Sequence, residues 1–172
     1  ELISLIKDGN YRGARVSSSS VREYSTSAAA HVLGTVGRIN EQELAAADPA
    51  IYNGEDWIGK SGVELAFEDY LRGTDGKRLI SSNADGKITD EIYTTQPKPG
   101  STVALTLDID LQQAAEQALA DTISDLNKDG NTTRGAGAAV IRVGTGEVLA
   151  LASYPTFDPA TYSQNVALLN SD

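Results

Sequence analysis

The chain has 172 residues, of which 40% are hydrophobic and 22% charged, a composition typical of a folded globular protein rather than a disordered one. Its formal net charge of −10 disfavours nucleic acid and anionic membrane surfaces as partners, since phosphate binding needs clustered Lys and Arg. Cysteine is absent, which excludes disulfides and cysteine-based zinc sites, and no apolar run approaches the roughly 18 residues that span a bilayer.

The first elements along the chain are predicted from local patterns. Residues 14–24 are polar and β-branched without a helical period, which indicates a strand and its lead-in. Asn40 followed by Glu43 has the spacing of a capping box, and it predicts a helix that Pro49 stops.

A second helix and a hairpin are predicted next. Ser61 and Glu64 repeat the capping-box spacing, and the helix that they begin ends at Gly73. Its apolar positions at helical spacing are Val63, Phe67, Tyr70 and Leu71. Residues 78–93 then indicate a hairpin whose turn is the Asn-Ala-Asp-Gly segment at 83–86.

The second half of the chain begins after residues 97–100, a Pro-Lys-Pro-Gly segment that indicates a hinge. Residues 102–107 alternate like a strand, and Asp108 or Asp110 then caps the longest predicted helix, which Gly130 ends. Its predicted buried stripe consists of Leu111, Ala115, Ala118, Leu119, Thr122 and Leu126, with Glu116, Asp121 and Asp125 on or near the opposite face.

Two strands follow, at residues 136–143 and 147–153, joined by a Gly-Thr-Gly segment. Both are nearly continuously apolar, which predicts burial on both faces. Methionine is absent and the chain begins at Glu1, which indicates a segment of a longer protein.

A set of short motifs is distributed along most of residues 12–160. They are Arg22–Tyr24, Ala30–Gly37, Gly59–Glu64, Leu71–Gly73, Pro99–Gly100, Leu105–Asp108, Leu111–Gln112, Ala138–Ile141, Thr145–Ala150, Ser153–Pro155 and Asp158–Pro159. In this order they resemble the motifs of class B penicillin-binding proteins, and the chain therefore resembles this family. One departure is Ser25, where the family often has proline.

The resemblance implies an α+β fold with two parts. Residues 1–96 would form a small β-rich pedestal, or dimerisation, domain with short helices, and residues 97–100 would be a Pro/Gly hinge. Residues 101–172 would be the strand, helix and hairpin that open a penicillin-binding transpeptidase domain, incomplete because the catalytic motifs would follow Asp172. The hairpin of residues 136–153 would then lack neighbours, and we expect its apolar surface to cause self-association.

The implied function is structural. The chain would be a non-catalytic structural and interaction region of a penicillin-binding D,D-transpeptidase that acts in peptidoglycan synthesis. The parent protein would lie on the extracytoplasmic face of the bacterial cytoplasmic membrane, anchored by an N-terminal helix. Implied partners are other cell-wall synthesis proteins and a possible second copy, with the peptidoglycan precursor reached only through the catalytic domain. No cofactor, metal or nucleic acid is implied.

The residues expected to carry this structural role share the family's motifs: Arg22, Gly34, Gly37, Gly59, Gly62, Glu64, Arg72 and Gly73. Gly59, Gly62 and Gly73 bracket a short helix, and glycine supplies backbone angles or close approach that other residues cannot. We expect Glu64 to pair with Arg22 or Arg72 across the core of the small domain. The alternative is that these charges are solvated independently.

Two other functions are compatible with isolated motifs. Residues 4–7, 60–62 and 81–83 match the Ser-x-x-Lys, Lys-Ser-Gly and Ser-x-Asn elements of a self-contained, β-lactam-reactive serine enzyme, but their order is wrong for that class. Residues 125–130 copy the first half of an EF-hand loop, and residues 81–86 match it partly. Neither loop has the closing glutamate, so an acidic glycine-containing turn is favoured over a calcium-binding module.

Two single residues have competing interpretations. His31 is the only histidine of the chain, and its apolar neighbours favour a structural role over that of a general base. Trp57 is the only tryptophan. Packing in or near the core is favoured for it over an exposed contact, although tryptophan is enriched in binding hot spots.

Overall fold

The computed structural model describes residues 22–83, 88–130 and 132–162, and it shows mixed helices and strands in two compact units. Of the described residues, Arg22 and those within Arg72–Ser101 belong to the first unit, and those within Glu23–Leu71 and 102–162 belong to the second. The division of the chain into domains at residues 97–100 stays a prediction. Among the described residues, no helix is long and apolar enough to cross a bilayer.

The first stretch of the second unit is a series of short elements. They are α1 (Ala30–Leu33), β1 (Val36–Arg38), α2 (Glu41–Ala46), β2 (Trp57–Gly59), α3 (Gly62–Ala66) and α4 (Glu68–Leu71). Strands β1 and β2 pair antiparallel, with Val36 opposite Gly59. The capping box predicted at the start of α2 is confirmed, because Asn40 and Glu43 exchange both hydrogen bonds, at 2.8 and 2.9 Å.

The single helix predicted from Ser61 to Gly73 is wrong in two respects. It is divided into α3 and α4, and Phe67 lies between them with φ of −116°. Ser61 makes no side-chain capping bond, because its hydroxyl is hydrogen bonded to Thr35 instead. The proposed apolar stripe is also partly open to solvent, since the side chain of Tyr70 is exposed.

The second stretch of this unit contains α5 (Ile109–Lys128), β5 (Ala136–Ile141) and β6 (Val148–Tyr154). Asp108 caps α5, since its side chain accepts hydrogen bonds from the backbone N–H groups of Asp110 and Leu111. The strand predicted at residues 102–107 is not formed. This segment contacts β6 through isolated bonds, such as that from Asp108 N to Leu149 O, rather than through a regular ladder.

Helix α5 packs against the β5–β6 hairpin with a face that matches the predicted stripe only in part. Of the predicted stripe, Leu111, Ala115 and Leu119 are half-buried, whereas Ala118, Thr122 and Leu126 are exposed. The buried side chains of the helix are Gln112 and Ile123, with Glu116 half-buried beside them. The prediction that both strands are buried on two faces is wrong as well. Exposure alternates along β5, and on β6 the exposed Leu151 lies between the buried Ala150 and Ala152. The hairpin therefore covers α5 with one face and leaves the other open to solvent.

The core of the second unit is built largely from small side chains. Its buried hydrophobic residues are Ala28, Ala29, Ala30, Ile39, Ile123, Ala150 and Ala152. Alanines allow backbones to approach closely but bury little apolar area each. Polar contacts between the elements therefore have a larger share in holding this unit together.

The described part of the first unit contains a confirmed hairpin, β3 (Lys77–Ser82) and β4 (Ile88–Thr95), which pair antiparallel. Thr74 and Lys98 form a bridge next to it, with backbone hydrogen bonds of 2.8 and 2.9 Å. Most of the predicted turn at residues 83–86 and most of the strand predicted at residues 14–24 lie outside the described residues.

Candidate functional site

The glycines of the sequence motif form a close crossing between two backbone segments. A Cβ atom on Gly34 would lie 1.9 Å from the carbonyl oxygen of Ser61, and one on Gly62 would lie 2.5 Å from that of Val32. Both glycines have positive φ angles, of 83° and 58°. Any other residue at either position would meet both a clash and an unfavourable backbone angle.

A hydroxyl contact fixes the same crossing. Thr35 is buried, and its backbone N–H donates a hydrogen bond of 3.1 Å to the side-chain oxygen of Ser61. The two hydroxyl oxygens lie 3.2 Å apart, and the backbone N–H of Lys60 donates to the Thr35 carbonyl at 2.7 Å. The Ser61 hydroxyl is therefore held in a structural contact.

Gly59 brings β2 directly against helix α3. A Cβ atom there would lie 2.1 Å from the carbonyl oxygen of Glu64, while the Gly59 N–H donates a hydrogen bond of 2.8 Å to the carboxylate of Glu68. Gly37 is less constrained, because the nearest atoms to its Cβ would belong to the flexible side chain of Lys60, at 3.1 Å. The glycines of the motif therefore differ widely in how much room they leave for a side chain: Gly59 leaves none, whereas Gly37 could accept one if the Lys60 side chain moved.

Lys60 forms an ion pair with Glu43, which links β2 to α2. The Glu43 carboxylate also accepts a hydrogen bond from the backbone N–H of Asn40. The pKa of Glu43 is lower than its ordinary value, chiefly because of the hydrogen bond from Lys60 and secondly because of the one from the Asn40 N–H. The pair stabilises the entry to α2 as long as Glu43 is ionised.

The charged members of the motif have distinct surroundings. Glu64 is buried, in the first turn of α3. In the first unit, the Arg72 guanidinium lies 3.9 Å from the Asp75 carboxylate, and a Cβ atom on Gly73 would lie 2.3 Å from the carbonyl oxygen of Lys98. The expected pairing of Glu64 with Arg22 or Arg72 stays a prediction.

A polar cluster that the sequence patterns do not predict joins α1, α5 and β6. Gln112 is fully buried, and its amide accepts from the backbone N–H of Leu151 at 2.7 Å and donates to the Leu151 carbonyl at 3.0 Å. The same amide nitrogen donates to Glu116 at 2.7 Å, and Glu116 accepts from the backbone N–H of Ala29 at 2.8 Å. The available signal was the helical spacing of Gln112 and Glu116 with Leu119 and Ile123, which places two polar residues on the packed face.

His31 adds a second link between α1 and the segment after β6. Its Nε2 atom lies 3.0 Å from the carbonyl oxygen of Pro155, and its ring contacts Phe157 edge-on at a centroid distance of 4.9 Å. These contacts agree with a structural role for His31, which stays a prediction. Trp57 differs from its favoured interpretation, because its side chain is 56% exposed at the start of β2 rather than packed in the core.

The remaining look-alike motifs have ordinary structural surroundings where they are described. Asp125 and Asn127 belong to α5 rather than to a loop; Asp125 pairs with Lys128, and Asn127 hydrogen bonds to the backbone of Thr133. Within the described ranges, no cluster of three His, Asp or Glu side chains could hold a metal ion. Residues 4–7 and the turn at 84–87 lie outside those ranges.

Comparison with known proteins identifies the region that contains the glycine crossing. A sequence profile of the penicillin-binding protein dimerisation domain matches residues 3–105. The chain belongs to this family. The predicted resemblance is therefore confirmed.

Curated relatives and solved structures agree with this assignment. The peptidoglycan D,D-transpeptidase MrdA of Acinetobacter baumannii is 39% identical over 150 residues, which cover 87% of this chain and 20% of that protein. MrdA of Escherichia coli K12 is 33% identical over 147 residues, which cover 82% of this chain and 21% of that protein. The chain thus spans about a fifth of the length of these D,D-transpeptidase relatives.

Two solved structures share the fold at similar identity. A chain in a structure of a peptidoglycan synthase complex superposes with a TM-score of 0.69 at 36% identity, covering 83% of this chain and 26% of that one. Penicillin-binding protein 2 of Pseudomonas aeruginosa superposes with a TM-score of 0.55 at 37% identity, and the match covers 82% of this chain and 26% of that one.

Proposed function

We propose that this chain is a non-catalytic structural and interaction region of a peptidoglycan D,D-transpeptidase that acts on the extracytoplasmic face of the bacterial cytoplasmic membrane. The reaction would use a serine nucleophile outside these 172 residues. The region would orient the catalytic domain and contact other cell-wall synthesis proteins, with a second copy as a possible partner. It would need no cofactor.

One observation carries this proposal. Ala29 and His31, which lie in the part matched by the dimerisation-domain profile, are hydrogen bonded to Glu116 of α5 and to Pro155 after β6. Both latter residues lie beyond the matched range. The first of these contacts is partly buried and the second is exposed. A region that joins two parts of a protein through directional polar contacts is suited to holding and orienting them, because such contacts favour one geometry.

The available hydroxyl and amine groups also favour a structural role. A serine nucleophile needs a neighbouring base that takes its proton. The Ser61 hydroxyl contacts Thr35, and the neighbouring Lys60 ammonium pairs with Glu43. The family's motif residues Gly34, Gly59 and Gly62 act through backbone contacts rather than through side-chain chemistry.

The test is incubation of the folded chain with a fluorescent penicillin, followed by intact-mass measurement, with a complete D,D-transpeptidase as the positive control. We expect no covalent adduct on the chain and a stoichiometric adduct on the control. An adduct at Ser4, Ser61 or Ser81 would overturn the proposal and make this a compact serine enzyme.

A further inference from the structure

A shallow apolar groove lies between the short elements of the second unit, with a volume of about 290 Å³. Its walls include Ile39, Tyr52, Ile58 and Leu65, and the carboxylate-bearing residues Glu43 and Glu68 also line it. Leu65 is 54% exposed, although it belongs to a helix whose neighbour Glu64 is buried. Several apolar side chains that line one open groove beside carboxylates form the kind of polar-rimmed apolar surface that marks interaction sites.

The charge around the groove is strongly one-sided. Residues 38–71 contain eight carboxylates and two basic side chains, those of Arg38 and Lys60, so the formal net charge of this segment is −6. Lys60 is paired with Glu43, whereas Glu68 accepts a hydrogen bond from the uncharged N–H of Gly59. The groove therefore lies in an acidic segment.

The negative charge beside the groove favours some binding partners over others. A second copy would bring an equal set of carboxylates against the first, and like charges in contact weaken association. An acidic or anionic partner meets the same repulsion. A segment that combines apolar side chains with Lys or Arg gains from both the groove and its border.

We propose that this groove is a docking site for a basic amphipathic segment of another protein, which inserts apolar side chains beside Leu65 and places cationic groups near Glu68. The proposal rests on the proposed interaction function of the chain and adds to it the surface and the chemistry of the partner. Binding is expected to weaken as salt rises, because Glu43 and Glu68 are partly open to solvent and salt screens their attraction for cationic groups.

The test uses two synthetic amphipathic helices with the same leucine pattern, one carrying lysine and the other glutamate at the polar positions. Each is titrated into the isotopically labelled 172-residue chain, and binding is followed by NMR. We expect the lysine peptide to shift the signals of Ile39, Ile58 and Leu65, and the glutamate peptide to leave them unchanged.

Variants separate the apolar and electrostatic contributions. Leu65→Ser is expected to weaken binding of the lysine peptide about tenfold, the effect of losing one buried leucine. Glu68→Gln, which keeps an acceptor for Gly59, is expected to weaken it roughly two- to fivefold and to reduce its salt dependence. Ile141→Ser is the matched control, since Ile141 is 56% exposed in the β5–β6 hairpin, and it should leave binding unchanged.

Several outcomes would overturn the docking site. They are no shifts with the lysine peptide, equal shifts with the glutamate peptide, shifts centred on the hairpin, and concentration-dependent shifts at Leu65 without any peptide. The penicillin measurement is independent of these results. An adduct would remove the structural function, whereas lost groove binding without an adduct would remove only this surface.

Discussion

Gln112 binds the backbone of Leu151 through both ends of its side-chain amide, in the way that a residue of a neighbouring strand would. Gln112 is fully buried, and its amide nitrogen also donates a hydrogen bond to Glu116. The Glu116 carboxylate in turn accepts a hydrogen bond from the backbone N–H of Ala29. One helical side chain therefore satisfies backbone groups of β6 and orients the acceptor for α1. Buried polar networks of this kind are costly when a member is removed.

Replacing Gln112 with leucine is expected to destabilise the chain by about 2–4 kcal/mol, since it leaves the N–H and C=O groups of Leu151 without these partners. Urea denaturation would measure the free energy of unfolding. The matched control is Gln113→Leu at the exposed neighbouring position, which should change it by less than about 0.5 kcal/mol. Equal losses in the two variants would contradict the role assigned to Gln112.

Replacing Glu116 with alanine is expected to loosen α1. The amides of residues 29–33 should exchange hydrogen roughly tenfold faster, because the Ala29 N–H loses a charged acceptor. Glu116→Gln keeps an acceptor and should show a smaller change. The site-resolved measurement is hydrogen exchange by NMR, and unchanged exchange in the alanine variant would disprove the link.

Alanine at Gly34 or Gly62 is expected to cost more than about 2 kcal/mol of stability, since each position combines positive φ with a backbone clash. Gly54→Ala is the control, because its Cβ would meet only a side-chain atom of Leu44, at 3.8 Å. Thermal unfolding of the three variants would compare them. A Gly54 variant as unstable as the other two would show that the crossing is not special.

The ion pair of Glu43 predicts a pH dependence. The pKa of Glu43 is lowered in the folded chain, first by its hydrogen bond from Lys60, so the stabilisation is present above the ordinary glutamate pKa of about 4.3 and is lost as pH falls through the lower folded value. The melting temperature of Glu43→Gln should therefore lie below that of the unchanged chain at neutral pH, and the two should converge in acid.

The control for this pH dependence is Glu41→Gln. It removes an equal charge from the same first turn of α2, two residues before the carboxylate that pairs with Lys60. We expect a smaller difference in melting temperature at neutral pH. A difference that grows on acidification would contradict the assigned direction.

The open face of the β5–β6 hairpin predicts self-association at high protein concentration. Ile141 and Leu151 are exposed on it, and apolar strand surface favours pairing with another copy. Light scattering of the chain and of Ile141→Thr would test this, with a smaller average mass expected for the variant. A monomer at every concentration would rule out the association.

Features set by neighbours in the chain could be read from the sequence. The cap at Asn40 was predicted correctly, as was the hairpin that forms β3 and β4. For α5 the sequence offered Asp108 or Asp110 as the cap, and the structure has Asp108. A capping side chain reaches backbone groups only two or three residues away, so the adjacent sequence is enough to predict its partners. The ordered motifs also identified the family, since their combination is far more specific than any one of them.

Choices between distant partners were decided only by the tertiary structure. The spacing of Ser61 and Glu64 fits a capping box as well as that of Asn40 and Glu43 does, yet the Ser61 hydroxyl binds Thr35, which the Gly34 crossing brings next to it. Glu116 looks like a solvent-facing residue until the Ala29 N–H approaches it from 87 residues away. A side chain with one hydrogen-bonding group takes the partner that the fold places nearest, and the sequence around it does not contain that partner.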